Sequence, residues 1–148
     1  RLVVVVAPGH EWARRTRPVP LAELVETPLV VREPGSGTRI ALERVLGGLP
    51  TAAPALELAS NAAVRVAVIA GAAPAVLSEH AVQAAVSAGE LRAVMVDGLV
   101  VERPLRAVWP VEPPLSALGQ RLVQLAIELE RDRGTPASRP ALDPGWGI

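Results

Sequence analysis

The sequence has no lysine, cysteine, phenylalanine or tyrosine, and its only aromatic residues are three tryptophans. Each gap closes off a class of function. Without cysteine there are no disulfides and no thiolate metal or redox centres, which is compatible with a cytoplasmic location. Without lysine there is no P-loop, because that motif places a Lys ammonium on the phosphates. An excess of one charge is also missing: 15 Arg balance 15 Asp and Glu, leaving a formal net charge of +0. Gripping nucleic acid needs a basic face, so DNA contact is not expected of this segment. His10 and His80 fall in different elements without ligand spacing, so neither a metal site nor any other cofactor is expected. No apolar run is long enough to span a bilayer, and no membrane partner is implied.

Half of the 148 residues are hydrophobic, almost all of them aliphatic. That suffices for the core of one domain, or of one lobe plus part of another. The chain opens at Arg1 inside an apolar run, and Arg1 to Ala7 is too short for a secretory signal followed by a cleavage site. It is expected to be a fragment whose N-terminus lies upstream.

Leu2 to Val6 reads as a strand buried on both faces, ending at the turn Ala7-Pro8-Gly9-His10. Arg14, Arg15 and Arg17 make a short basic surface, and Leu21 to Glu26 is a short helix. From Pro28 onward, strand and helix alternate. Strands are expected near Leu29–Val31, Ala55–Ala59, Ala75–Leu77 and Leu91–Val96. Helices are expected from Thr38 to Leu46, from Asn61 to Gly71 and from Ser78 to Ser87. Such alternation predicts an α/β fold with a mostly parallel sheet flanked by helices. Arg103 to Trp109 reads as a further strand, with Trp109 packed in or beside it. Ser116 caps an amphipathic helix to about Arg131, striped by Leu118, Leu122, Leu125, Ala126 and Leu129. Residues 132–148 read as a disordered tail.

The stretch Arg32-Glu33-Pro34-Gly35-Ser36-Gly37-Thr38-Arg39 joins a strand to a helix. Unpaired N–H groups and the positive end of the helix dipole at such a junction suit a carboxylate, phosphate or sulfate. A turn that caps its own helix and binds nothing accounts for the same residues. The glycines approach a dinucleotide fingerprint, with Glu57 about where the ribose acid belongs. However, Ile40 replaces the third glycine, and Glu57 lies within a strand rather than at its end. No nucleophile elbow is present, and Glu23/Glu26 and Glu128/Glu130 read as solvated helix faces rather than acid/base pairs. A second junction, Ser60-Asn61-Ala62, follows the next strand. In a parallel sheet both junctions open at the same end, and together they offer hydroxyls, an amide and two helix N-termini to a small polar or anionic ligand. Gly71-Ala72-Ala73-Pro74 belongs to the opposite end.

Val3-Val4-Val5-Val6-Ala7-Pro8-Gly9-His10 and Pro28-Leu29-Val30-Val31-Arg32-Glu33-Pro34-Gly35-Ser36-Gly37-Thr38-Arg39 resemble segments of the effector-binding domain of LysR-type transcriptional regulators. Further matches are Glu57-Leu58-Ala59-Ser60-Asn61, Val76-Leu77-Ser78, Gly89-Glu90-Leu91 and Pro114-Leu115-Ser116, collinear to about Glu130. The resemblance implies a type 2 periplasmic-binding-protein-like fold of two lobes with an effector held between them. On that pattern residues 1–7 are a crossover strand and 8–101 the second lobe, while 102–131 supply the returning strand and a helix of the first lobe. Ser36, Gly37, Thr38, Ser60, Asn61 and Ala62 would line the effector cleft. The loop Gly71-Ala72-Ala73-Pro74 departs from the family's usual Gly-Leu-Gly-Ile, which alters the backbone path there. The implied function is sensing of a small, anionic effector by a cytoplasmic homodimer or homotetramer. Its DNA contact would lie in an upstream helix-turn-helix, and no catalytic residue is implied. An extracytoplasmic solute-binding protein of the same fold is the alternative; an α/β enzyme with its site elsewhere is a distant third.

Overall fold

A computed structural model describes residues 1–102 and 106–132 of the chain. The chain divides into two compact units, Arg1–Pro104 and Leu105–Ile148.

In the first unit β1 (Leu2–Val6) is followed by a 3-10 helix, Glu11–Arg14, and by α1 (Leu21–Glu26). Then come β2 (Val30–Arg32), α2 (Gly37–Leu46), β3 (Leu56–Leu58), α3 (Asn61–Ile69), β4 (Ala75–Ser78), α4 (Glu79–Ser87) and β5 (Arg92–Val94). The five strands form one sheet in the order β3-β2-β4-β1-β5. β2 is parallel to β3 and β4, whereas β1 is antiparallel to both β4 and β5. The sheet is therefore mixed rather than mostly parallel: two of its pairings are parallel and two antiparallel, because β1 alone runs against the other strands. The compact crossovers through α2 and α3 impose parallel pairing on β2, β3 and β4. The long excursion between β1 and β2 imposes no direction on β1.

β1 is the reason the sheet has a core on each side. Val4 and Val6 point into a cluster with Trp12, Leu24, Leu42 and Val96, and Val5 points into another with Val30, Val64, Leu77 and Leu91. An unbroken Val run serves a strand covered on both faces, as β1 is. Gly47 closes α2 in the left-handed region, at φ 61, where only glycine is free of strain.

Two expectations fail on packing that no local pattern encodes. Glu23 is not part of a solvated face. Its carboxylate accepts from the Trp12 indole Nε1 at 2.5 Å and pairs with Arg15 at 2.7 Å. Arg15 first, and Trp12 second, hold the Glu23 carboxyl below the usual carboxylate range. A depressed folded value means that this stabilisation is complete above the unfolded value. It is lost as the pH falls from the ordinary carboxylate range through the lower folded one. Glu23→Gln should accordingly flatten the acid limb of the stability–pH curve measured by chemical denaturation. An acid limb unchanged by the substitution would remove Glu23 from the account.

The second failure is the strand expected over Arg103 to Trp109. Arg103, Pro104 and Leu105 lie outside the described residues, and Arg106 to Trp109 are irregular, with Val108 and Trp109 exposed. β-Propensity counts only where a neighbour offers a ladder, and Pro110 removes a donor directly after this stretch.

In the second unit α5 (Ala117–Asp132) forms as expected, and Ser116 Oγ accepts from the Gly119 N–H at 3.2 Å. Its stripe is exposed, with Leu118 at 82% and Leu122 at 68% of full accessibility. The tail expectation from residue 133 on, with Trp146, lies outside the described residues.

Candidate functional site

β2 and β3 pair in parallel with Arg32 opposite Leu58, so their carboxyl ends open at one end of the sheet. The chain leaves each strand and enters a helix within a few residues. Ser36 is the N-cap of α2, and Ser60 is the N-cap of α3. Both expected junctions therefore meet at this end. Pro74, whose carbonyl accepts from the Val30 N–H at 2.8 Å, lies at the other.

The two junctions use their hydroxyls differently. Ser60 Oγ accepts from the Ala63 N–H at 3.1 Å, so it caps its own helix. Ser36 is buried yet makes no side-chain cap bond. Removing a capping oxygen costs about 1 kcal/mol. Ser60→Ala should therefore cost about that much in denaturant unfolding, and Ser36→Ala clearly less. Equal losses would show that Ser36 caps α2 after all.

Thr38 is the more unusual residue. It is 3% exposed, and its Oγ1 meets no hydrogen-bond partner among the described residues. A buried hydroxyl without a partner is costly, so the site holds a donor that α2 does not use. The first α-helical bond of α2 runs from the Ile40 N–H to the Ser36 carbonyl at 2.9 Å. The N–H groups of Gly37, Thr38 and Arg39 precede it and have no partner within the helix. Gly37 and Ala62 are exposed at the helix starts, and Asn61 is half-buried.

Two arginines bind the junctions into one unit. Arg32 reaches from the end of β2 to the Asn61 side-chain oxygen and to the Ala59 carbonyl. It also grips Glu33 through two parallel bonds of 2.7 Å. Arg39 pairs with Glu43 at 2.8 Å and with Glu57 at 2.7 Å, tying α2 to β3. Glu33 raises the Arg32 pKa, Glu43 and then Glu57 raise that of Arg39, and the Glu33 carboxyl is lowered by Arg32. Both guanidiniums thus spend their charge on carboxylates, and the donors left over are neutral.

The near-fingerprint has a structural explanation. Ile40 points outward at 40% exposure, while Thr38, Ala41, Leu42 and Leu46 bury α2 against the sheet. Glu57 is spent on Arg39. Sequence reading missed Arg32 as part of the site; an Arg-Glu pair at the end of a strand, next to a Gly-rich turn, was the only available signal.

A small concavity of about 20 Å³ between β2 and α2 is lined by Arg32, Thr38 and Arg39 among others. A larger one of about 380 Å³, lined by Arg1, Glu79 and the segment from Ala93 to Leu99, includes none of the six expected residues. Its walls are mainly apolar side chains and main chain, whereas Thr38, the one expected residue that lines the smaller concavity, brings an unpartnered hydroxyl, so chemistry rather than volume marks the candidate site. Among the described residues no cluster of His, Asp and Glu could hold a metal, and no helix is long and apolar enough to cross a membrane.

The family model of the LysR substrate binding domain matches residues 1–131. An uncharacterized HTH-type transcriptional regulator of Mycobacterium tuberculosis is 52% identical over 113 residues, covering 73% of this chain and 36% of that protein. The HTH-type transcriptional regulator CbbR of Xanthobacter flavus is 41% identical over 132 residues, covering 87% of this chain and 39% of that protein. The chain therefore spans less than two fifths of the length of these relatives. Among solved structures, the regulatory domain of Synechocystis CcmR, in complex with 2-PG, superposes with a TM-score of 0.69. It is 24% identical, covering 86% of this chain and 62% of that one, and it shares the fold.

Proposed function

The chain belongs to the LysR substrate-binding domain family, and we propose that it senses a small anionic effector for a LysR-type transcriptional regulator. The observation that carries this reading is the Thr38 hydroxyl, buried at the start of α2 without a partner among the described residues. Beside it stand the N–H groups of the first turns of α2 and α3 and the Asn61 amide. A buried donor without an acceptor among the described residues, beside further helix-start N–H groups, favours a ligand that brings acceptor oxygens. Ser36, Gly37 and Thr38 donate to an effector carboxylate or comparable oxyanion, while Ser60, Asn61 and Ala62 orient the remainder.

In the whole protein, binding shifts a two-state lobe arrangement, and the shift reaches DNA through a helix-turn-helix segment elsewhere in a cytoplasmic homodimer or homotetramer. The effector acts by its differential affinity for the two arrangements. Regulation rather than catalysis or solute transport fits the relatives, which are transcriptional regulators.

Calorimetric titration of the intact regulator with small organic acids, 2-PG and shikimate among them, tests this. At least one acid should bind. Asn61→Ala should weaken it about tenfold, the loss expected for one hydrogen bond to a charged group. Unchanged affinity in that variant would place the effector elsewhere.

A further inference from the structure

Arg32 does more than tie two helix starts together. Its Nη1 approaches the Asn61 side chain, and a guanidinium nitrogen can only donate. The atom it meets must therefore be Asn61 Oδ1, which fixes the amide's orientation without ambiguity. Nδ2, with its two donors, is left on the other side of the amide. The guanidinium itself is held by both Glu33 oxygens through Nε and Nη2, each at 2.7 Å. This fork matches carboxylate geometry, so Arg32 has little freedom to swing toward a ligand.

We infer that Arg32 is a specificity-determining positioning residue: pinned by Glu33, it holds the Asn61 carbonyl oxygen, so that Asn61 offers a ligand its Nδ2 donors and not its acceptor. This rests on the reading of the junction as the effector site and adds the class of group recognised there. An acceptor-only group, such as a carboxylate, fits the Asn61 Nδ2 donors in either orientation; a carboxamide of the same shape that turns its NH2 to Asn61 sets donor against donor. Discrimination of this kind is large, because the wrong isostere leaves polar groups unpaired. Without Arg32 the Asn61 amide is free to turn over and serve either group.

The test follows the Asn61 side-chain NH2 signals by ¹⁵N–¹H NMR of the full chain, titrated with acetate and with acetamide. The wild type should bind acetate about tenfold more tightly than acetamide, with the Asn61 signals moving on acetate addition. In Arg32→Gln the two Asn61 NH2 signals should shift in the free protein, and the preference should fall to about threefold or less. Arg32→Lys serves as the second variant, since it keeps the charge but lacks the fork, and it should lose the preference likewise. If the wild-type Asn61 signals respond to neither probe, the junction is not the effector site and the proposal falls with that reading. If they respond to acetate while the folded Arg32 variants keep the full preference, the effector site stands and the positioning role is overturned.

Discussion

Trp12→Ala is expected to destabilise the first unit by about 3–5 kcal/mol, the range for emptying a buried large aromatic site. A domain of this size has a total stability of about 5–15 kcal/mol, so this is a large part of the whole. Trp12 is 2% exposed and sits in the cluster with Leu2, Val4, Val6, Val19 and Leu24. It is the one aromatic residue in either core cluster, so no second core aromatic can fill the space it leaves. Its backbone is held as firmly as its ring. The Trp12 N–H donates to His10 Nδ1 at 3.1 Å, and the His10 ring meets the indole edge-to-face at 5.1 Å. Its Nε1–H donates to Glu23, which joins the 3-10 helix to α1. Trp12→Phe keeps most of the apolar volume and loses that bond, so a smaller loss of about 1–2 kcal/mol is expected. Guanidinium unfolding followed by far-UV circular dichroism measures both without relying on tryptophan emission. A loss below about 1 kcal/mol in the alanine variant would mean that the site closes up and that Trp12 is no keystone.

Much of this arrangement is legible in the sequence, and the parts that are not share a cause. The helices from Gly37–Leu46 to Ala117–Asp132 are announced by apolar spacing and by Ser or Gly at their ends, all local signals. The strands are found within a few residues, although β3 and β5 are only three residues long. The direction of β1 is not announced, because a Val run reads the same from either end and pairing is decided by distant partners. Glu23 and Arg15 could be read only as a helix face and part of a basic surface, and no local pattern assigns Trp12 a place. What joins them is the return of α1 onto the 3-10 helix, a contact between elements. The same holds at the candidate site. That Ser36 and Ser60 start neighbouring helices follows from two strand-to-helix junctions in a parallel sheet. The Arg32–Asn61 contact spans 29 residues and depends on the register of β2 and β3. Ser60 and Thr38 look alike as polar residues near a cap; only burial separates the exposed hydroxyl of Ser60 from the enclosed one of Thr38.

That enclosed donor yields the second large effect, in which stability and binding move in opposite directions. Thr38→Val replaces a buried hydroxyl with a methyl of nearly the same size. A hydroxyl that pairs with protein groups would make this substitution destabilising. Thr38 Oγ1 has no partner among the described residues, so the variant removes a desolvation cost and loses no bond in return. The unliganded protein is therefore expected to gain about 1 kcal/mol. The effector, in contrast, loses a hydrogen bond to a charged oxygen and meets a methyl in its place. That loss of about 1.5–3 kcal/mol corresponds to roughly 10- to 100-fold in affinity. Residues kept for binding at the expense of the fold show this opposition, and residues kept for the fold do not. Denaturant unfolding of the free protein and calorimetric titration of the intact regulator measure the two signs separately. A less stable variant with unchanged affinity would make Thr38 a structural residue and move the effector's contacts away from the start of α2. A more stable variant with weakened binding would identify the hydroxyl as a group that the ligand completes.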